Sequence, residues 1–264
     1  MDPFIIKLIL SFFVGAIWIT SVTVISEKFG TKLGGTLGGL PSTCLIALFF
    51  IGWTQSPAIA SQATSIMPFV NGVDAMFIVV FVFLGGFNFY LGLFGCLLFW
   101  LVSSFSMIYL GFDNFGIGVI TCIILTIIAY YLVEKKLNVK SIDKKEMHYT
   151  IGQILFRALL SGSVIALAVF LAKVGGPLMG GAFSQFPALY SATIIITYLA
   201  HGKEFSFAMM KALLVSASVN VLVFTIAVRY LYLYVGLVYG TILAFLISLV
   251  SCYLVYLFVN KRME

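Results

Sequence analysis

Long apolar runs separated by short polar segments occupy almost the whole chain of 264 residues. A helix needs about 20 successive apolar residues to cross a membrane. The runs are continuous, as in 77–84, whereas the strands of a membrane β-barrel alternate apolar and polar residues. The pattern therefore predicts an all-α, polytopic membrane protein with nine spans, over roughly 5–26, 36–54, 68–88, 91–111, 115–133, 153–173, 182–200, 205–228 and 232–258.

The composition supports this class and excludes others. Hydrophobic residues make up 62% of the chain and charged residues only 9%, whereas soluble domains carry about 25% charged residues. These values exclude a water-soluble globule, a disordered chain and a secreted disulfide scaffold. The spans leave no room for a soluble catalytic domain. The cysteines stand singly in apolar runs, without metal-ligand or redox spacing, so we expect no metal and no other cofactor.

The basic residues predict the orientation of the chain. With the N-terminus outside, ten of them lie on the inner side and three on the outer side, namely Lys7, Lys173 and Arg229. Cytoplasmic loops are enriched in lysine and arginine, so we expect the C-terminus inside, in the cytoplasmic (inner) membrane of a prokaryote. The ten inner residues are Lys28, Lys32, Lys135, Lys136, Lys140, Lys144, Lys145, Lys203, Lys261 and Arg262. The net charge of +6 reflects this bias and does not indicate a nucleic-acid partner.

A glycine–proline pattern occurs twice and suggests an internal repeat. Its members recur at an offset of 146 residues: Gly30, Gly34, Gly35 and Pro41, then Gly176, Gly180, Gly181 and Pro187. We therefore divide the chain into a first membrane repeat of five spans (1–136), a Lys-rich cytoplasmic linker (137–149) and a second repeat of four spans (150–264). An odd number of spans inverts the second repeat, and inverted repeats are common in secondary transporters. The alternative is a chance similarity in a glycine-rich chain.

The two glycine–proline segments are the first candidate site. Glycine and proline together unwind a helix, and unwound backbone in a membrane is tolerated only against protein or a water-filled cavity. The helix that begins after such a break can hold an anion at its N-terminus; alternatively, the glycines only let two helices cross closely. The candidate substrate-binding residues are Gly34, Gly35, Gly38, Gly39, Pro41, Ser42, Thr43, Gly180, Gly181, Gln185, Pro187 and Tyr190.

The same segments carry a resemblance to a known family. A long apolar helix followed by Gly34-Gly-Thr-Leu-Gly-Gly-Leu-Pro41, with a second copy at Gly180-Gly-Ala-Phe-Ser-Gln-Phe-Pro187, resembles the GlpM-like family of small inner-membrane proteins. The second copy departs from the motif at Ser184 and Gln185. The resemblance implies an integral membrane protein without a defined activity.

Asp74 is the second candidate, with Asn71 beside it. A carboxylate within a span is costly and is a functional candidate by default, so Asp74 is our candidate for binding a coupling proton or cation. Alternatively, these residues form an outer turn that caps a helix beginning at Ala75. Arg157 and Lys211 lie near the predicted inner ends of their spans, where we expect them to reach the headgroups.

These features favour a secondary transporter or exporter that moves a small polar or anionic solute by alternating access of the two repeats. The alternative is a non-catalytic accessory or scaffold subunit of a membrane complex. We expect no enzymatic activity and no catalytic residues, because no nucleophile, zinc or nucleotide-binding motif is present. The expected partners are membrane lipid, the solute, and a coupling proton or cation; the sequence leaves homo-oligomerisation open.

The orientation is directly testable. Reporter fusions after Lys140 and at Glu264 should both report the cytoplasm, because positively charged segments are retained there. If an impermeant label added outside intact cells modifies the 134–149 loop, the predicted orientation is wrong.

Overall fold

A computed structural model describes residues 2–27, 30–142 and 149–262, and all regular elements in these ranges are helical. Lys28, Lys144 and Lys145 of the predicted inner charges lie outside the described residues. A π-helical turn, Leu132–Lys136, extends α7. The α-helices are α1 Pro3–Glu27, α2 Gly30–Gly38, α3 Ser42–Thr54, α4 Pro57–Ala63, α5 Met67–Phe87, α6 Phe89–Tyr109, α7 Phe115–Tyr131, α8 Ile151–Val174, α9 Pro177–Ser184, α10 Ala188–His201, α11 Lys203–Tyr234 and α12 Leu237–Arg262.

Among the described residues, eight helical segments are long and apolar enough to cross a membrane. One of them, Leu33–Thr54, runs through α2 and α3. The chain is therefore an all-α, polytopic membrane protein, as the sequence predicts. The predicted span 182–200 is not among the eight. It is divided between α9 and α10, which have 8 and 14 residues and are each too short to count as a span.

The helices form a centre and a periphery. In α5 and α11, 78% of the most apolar stretch is buried, and in Leu33–Thr54 the share is 83%. The corresponding shares in α6, α7 and α12 are only 28%, 22% and 28%. Because the outer helices are as apolar as the inner ones, their exposed faces suit lipid rather than water. The broken helix α2–α3 therefore lies at the centre of the bundle.

Several helix starts in the connecting segments are capped by side chains. Asn88 Oδ1 accepts from the N–H groups of Tyr90 and Leu91 at the start of α6. Asn114 caps α7, and Thr150 caps α8 in the same way. By contrast, α3 and α10 begin at a proline and have no side-chain cap. The helices α5, α9 and α11 also begin without a side-chain cap, so the distinguishing feature of α3 and α10 is the proline at the N-cap position.

Both glycine–proline segments break a helix, and they do so in the same way. Pro41 has φ −73° and ψ 46°, and Pro187 has φ −76° and ψ 48°. In each segment the N–H of the residue after the proline donates to the carbonyl of the residue before it, at 2.7 Å. This is the geometry of an inverse γ-turn. The helix resumes at once, so each break is short and leaves α3 and α10 with free N-terminal turns.

The glycines of these segments also form very close helix contacts. A Cβ on Gly35 would overlap the Ala212 side chain and meet its backbone carbon at 3.3 Å. A Cβ on Gly181 would overlap the carbonyl oxygen of Ala63. The alternatives left open by the sequence, a helix break and a close crossing, therefore apply together.

Two basic residues do not lie where the sequence predicted. Lys211 is only 2% exposed, and its Nζ lies 2.6 Å from Glu134 Oε2 and donates to the Val139 carbonyl at 2.6 Å. Arg157 is only 1% exposed, with its guanidinium 5.9 Å from the centre of the Tyr149 ring. The expectation that both side chains reach the headgroups is wrong, because protein groups from neighbouring segments surround them.

The close contacts predict which glycines tolerate a methyl group. Gly35→Ala and Gly181→Ala should each lower stability by about 1–3 kcal/mol, the usual cost of overpacking, and should lower the melting temperature in detergent. Gly86→Ala is the control, because no atom lies within 4 Å of the added Cβ. Equal melting temperatures for all three variants would contradict the packing described here.

Candidate functional site

A small cavity with both polar and apolar side chains in its wall lies between the two helix breaks. Its volume is about 40 Å³, which is enough for about three water molecules at roughly 10–15 Å³ each. The walls are the first turns of α3 and α10, one face of α5, and two residues of α11. The lining residues are Gly38, Leu40, Pro41, Ser42, Thr43, Cys44, Asn71, Asp74, Ser184, Gln185, Phe186, Pro187, Leu189, Tyr190, Ala217 and Val221.

Asp74 contributes the carboxylate of this cavity. It lies within α5 and is only 4% exposed, so the alternative of an outer turn that caps a helix at Ala75 is wrong. Trp100 of α6 donates its indole N–H to Asp74 Oδ1 at 2.8 Å. Within the described part of the chain, no lysine, arginine or histidine lies within ion-pair distance of this carboxylate. Asp74 is therefore a buried acid held by one neutral donor.

Two side chains connect the breaks to each other and to α5. Cys44, in the first turn of α3, donates its thiol to Gln185 Oε1, with the two atoms 3.0 Å apart. The Gln185 amide also donates to the Met67 carbonyl at 3.4 Å. Because Cys44 and Gln185 are in contact, the two breaks lie against each other in the bundle. Asn71 of α5 separately donates its Nδ2 amide to the Ser218 carbonyl of α11 at 2.9 Å.

Several donors at the cavity wall lack acceptors. The N–H groups of Thr43 and Cys44 have no acceptor among the described residues, and the same holds for those of Leu189 and Tyr190. Ser42 Oγ is also without a hydrogen-bond partner within the described ranges, although Ser42 is only 2% exposed. An unmade hydrogen bond at a buried group costs about 1–3 kcal/mol. These groups therefore favour a bound water or solute that carries hydrogen-bond acceptors.

Most of the predicted site residues meet at this cavity. Nine of them line it: Gly38, Pro41, Ser42, Thr43, Asn71, Asp74, Gln185, Pro187 and Tyr190. The other glycines do not line it. Gly34 lines a separate crevice beside Thr23 and Leu213, and the remaining four form helix contacts: Gly35, Gly39, Gly180 and Gly181. Gly35 and Gly39 face α11, Gly180 faces α8, and Gly181 faces α4.

Two residues of the site, Cys44 and Trp100, are not predicted from the sequence. Cys44 stands singly in an apolar run like the other cysteines, but it comes three positions after Pro41, as Tyr190 does after Pro187. Trp100 lies 26 residues from Asp74 and gave no local signal, because only the packing of α6 on α5 brings its indole to the carboxylate.

In the portion of the chain that the structure describes, no three His, Cys, Asp or Glu side chains converge as a metal site would require. Comparison with known proteins adds no assignment, since no protein-family model, curated protein or solved structure matches the chain.

The hydrogen bond between Trp100 and Asp74 can be measured by a double-mutant cycle. Trp100→Phe should lower stability by about 1–3 kcal/mol, because it leaves a buried carboxylate oxygen without its donor. In an Asp74→Leu background the same substitution should cost less, since the acceptor is already gone. Thermal unfolding in detergent of the four proteins provides the comparison. An equal loss in both backgrounds would mean that the two side chains do not interact.

Proposed function

We propose that the chain is a secondary transporter that moves a small polar or anionic solute by alternating access of two inverted repeats. The main support for this proposal is the cavity between the two breaks, which has the buried acid Asp74 and other polar side chains in its wall. Transporters of this type bind substrate where discontinuous helices meet. A soluble domain or cofactor is not needed for this activity.

The repeat hypothesis is supported by the matched breaks and by a second pair of matched positions. The offset of 146 residues that relates Pro41 to Pro187 also relates Asp74 to Asn220. Asn220 lies in α11, as Asp74 lies in α5, and both are buried. Asn220 is held within the bundle by Ser216 and by Ser251, at 3.0 and 2.7 Å. In this proposal the second repeat keeps a neutral residue where the first carries the acid.

The contacts of the broken helices support opposite directions in the membrane. Gly181 of α9 packs on Ala63 of α4, the helix that comes after the C-terminal end of α3. Gly35 of α2 packs on Ala212 of α11, the helix that comes after the C-terminal end of α10. The start of each broken helix is thus near the end of the other. In the proposed topology, α9 and α10 together form the remaining crossing, with the N-terminus outside and the C-terminus in the cytoplasm.

The lengths of the four helices that flank the breaks, α2, α3, α9 and α10, support a site inside the membrane. At 1.5 Å per residue, α2 and α9 span about 12–14 Å, and α3 and α10 span about 20 Å. These lengths leave both breaks well inside a hydrocarbon layer of about 30 Å. The cavity of about 40 Å³ is too small for most solutes, so transport would require it to widen on one side at a time.

Access to Cys44 tests this proposal and distinguishes it from a static accessory subunit. In proteoliposomes, a variant that retains only Cys44 should react with an impermeant methanethiosulfonate reagent added on either side, because alternating access hydrates the cavity from both. A variant that retains only Cys252 is the control, since Cys252 is about as deeply buried, at 4% against 3% exposed, but lies on α12 outside the cavity. Equal protection of both cysteines from both sides would reject the transporter.

A further inference from the structure

The cavity lies between two helix starts that face each other. In the proposed topology, α3 runs from the cavity to the outer side and α10 runs from it to the inner side, so that both N-termini point at the same space. The N–H groups of Thr43 and Cys44, and those of Leu189 and Tyr190, accordingly lie in the cavity wall without acceptors among the described residues. Helix N-termini attract anions through these donors and through the helix dipole.

The partial charges nearly balance when Asp74 is ionised. Each helix start is equivalent to about +0.5 elementary charge, so that two of them offset one carboxylate. Of the residues that the structure describes, no lysine, arginine or histidine lines the cavity. Protonation of Asp74 therefore leaves an uncompensated charge of about +1, which one monovalent anion would neutralise.

The other groups around Asp74 do not supply a competing charge. The titratable side chains that interact with Asp74 are Cys44 of α3, Cys122 of α7 and Tyr190 of α10. All three are neutral in their protonated forms. From α11, which also packs on α5, Lys211 is paired with Glu134 of the π-helical turn. Arg229 of α11 donates to the side chains of Thr64 and Ser65, which come just before α5, and does not line the cavity. α9, the remaining neighbour, carries no titratable side chain. The charge of the cavity thus depends on Asp74 and on whatever binds there.

We infer that the cavity binds a small monovalent anion together with one proton. The proton binds a carboxylate oxygen of Asp74, and the anion accepts hydrogen bonds from the helix-start N–H groups and from Ser42 Oγ. Ser42 supports an acceptor-bearing ligand independently of the helix starts, because its hydroxyl is buried, faces the cavity and lacks a partner within the described ranges. This inference rests on the proposed function and names its substrate class and its coupling ion.

The requirement for both ligands follows from electrostatics. An anion that enters while Asp74 is ionised places two like charges in a cavity of about 40 Å³, which is unfavourable at low dielectric. A proton on Asp74 without an anion leaves the helix starts uncompensated. The site is therefore close to neutral when it is empty or doubly occupied, and a carrier with this property moves anion and proton together.

Proton uptake on anion binding tests the inference. Formate is added to the detergent-purified protein in weak buffer, a pH indicator counts protons, and calorimetry measures affinity. We expect about one proton to be taken up per formate bound. The affinity should rise about tenfold for each unit by which the pH falls, over the range in which Asp74 of the empty site is ionised. Formamide, which is neutral and has nearly the same shape, should bind at least tenfold more weakly and take up no proton.

Two variants identify the groups involved. Asp74→Asn should bind formate with no proton uptake and no pH dependence, because the amide resembles the protonated acid but cannot titrate. Ser42→Ala should weaken binding several-fold without changing the proton count. Ser161→Ala is the control, since Ser161 is equally buried and also lacks a hydroxyl partner among the described residues, but it lies outside the cavity. The pH dependence of the natural sequence tests the inference even if Asp74→Asn does not fold.

The outcomes separate this inference from the proposed function. Formate binding without proton uptake, equal binding of formamide, or no binding of formate or chloride would overturn the proton–anion site. If Cys44 is still modified from both sides, the transporter then stands with a different substrate. If formate and a proton bind together but Cys44 stays protected, the site is retained and transport is rejected.

Discussion

The structure depends on the cost of leaving backbone groups without hydrogen bonds in a membrane. Lipid cannot supply a hydrogen bond, so an interrupted helix must be covered by protein or must face a polar cavity. Here two helices are interrupted by the same turn at Pro41 and Pro187. Both breaks lie at the centre of the bundle, and the more exposed helices α6, α7 and α12 surround them. The arrangement of the bundle reflects the need to cover these two points.

On one side of each break, the glycines let neighbouring helices pack closely and cover the backbone. Gly35 and Gly39 let α2 lie directly against α11, and Gly180 and Gly181 let α9 lie against α8 and α4. On the other side the first turns of α3 and α10 are left uncapped, whereas α6, α7 and α8 are capped by side chains. Because the uncapped turns lie opposite each other, their donors are concentrated in one cavity.

Asp74 supplies the acidic group of this cavity. A buried carboxylate is costly unless neighbouring groups stabilise it, and the indole of Trp100 supplies one hydrogen bond. The partial positive charge of two helix starts can supply the rest when the acid is ionised, and a bound proton can replace it. In the proposed function, a site whose charge depends on one proton and one ligand couples their movements.

The sequence by itself determined the class of the molecule and the elements of its site. The apolar runs predicted the spans, because a helix that faces lipid must be apolar along its whole length. The paired glycines and prolines marked the breaks, and the rarity of a carboxylate within a span marked Asp74. Only the tertiary structure decided that Asp74 lies inside α5 rather than at its start, since both alternatives fit the same residues. It likewise decided that Trp100 and Cys44 belong to the site and that Lys211 pairs with Glu134. These contacts join residues that are far apart in the chain, and the packing of helices that brings them together leaves no local pattern in the sequence.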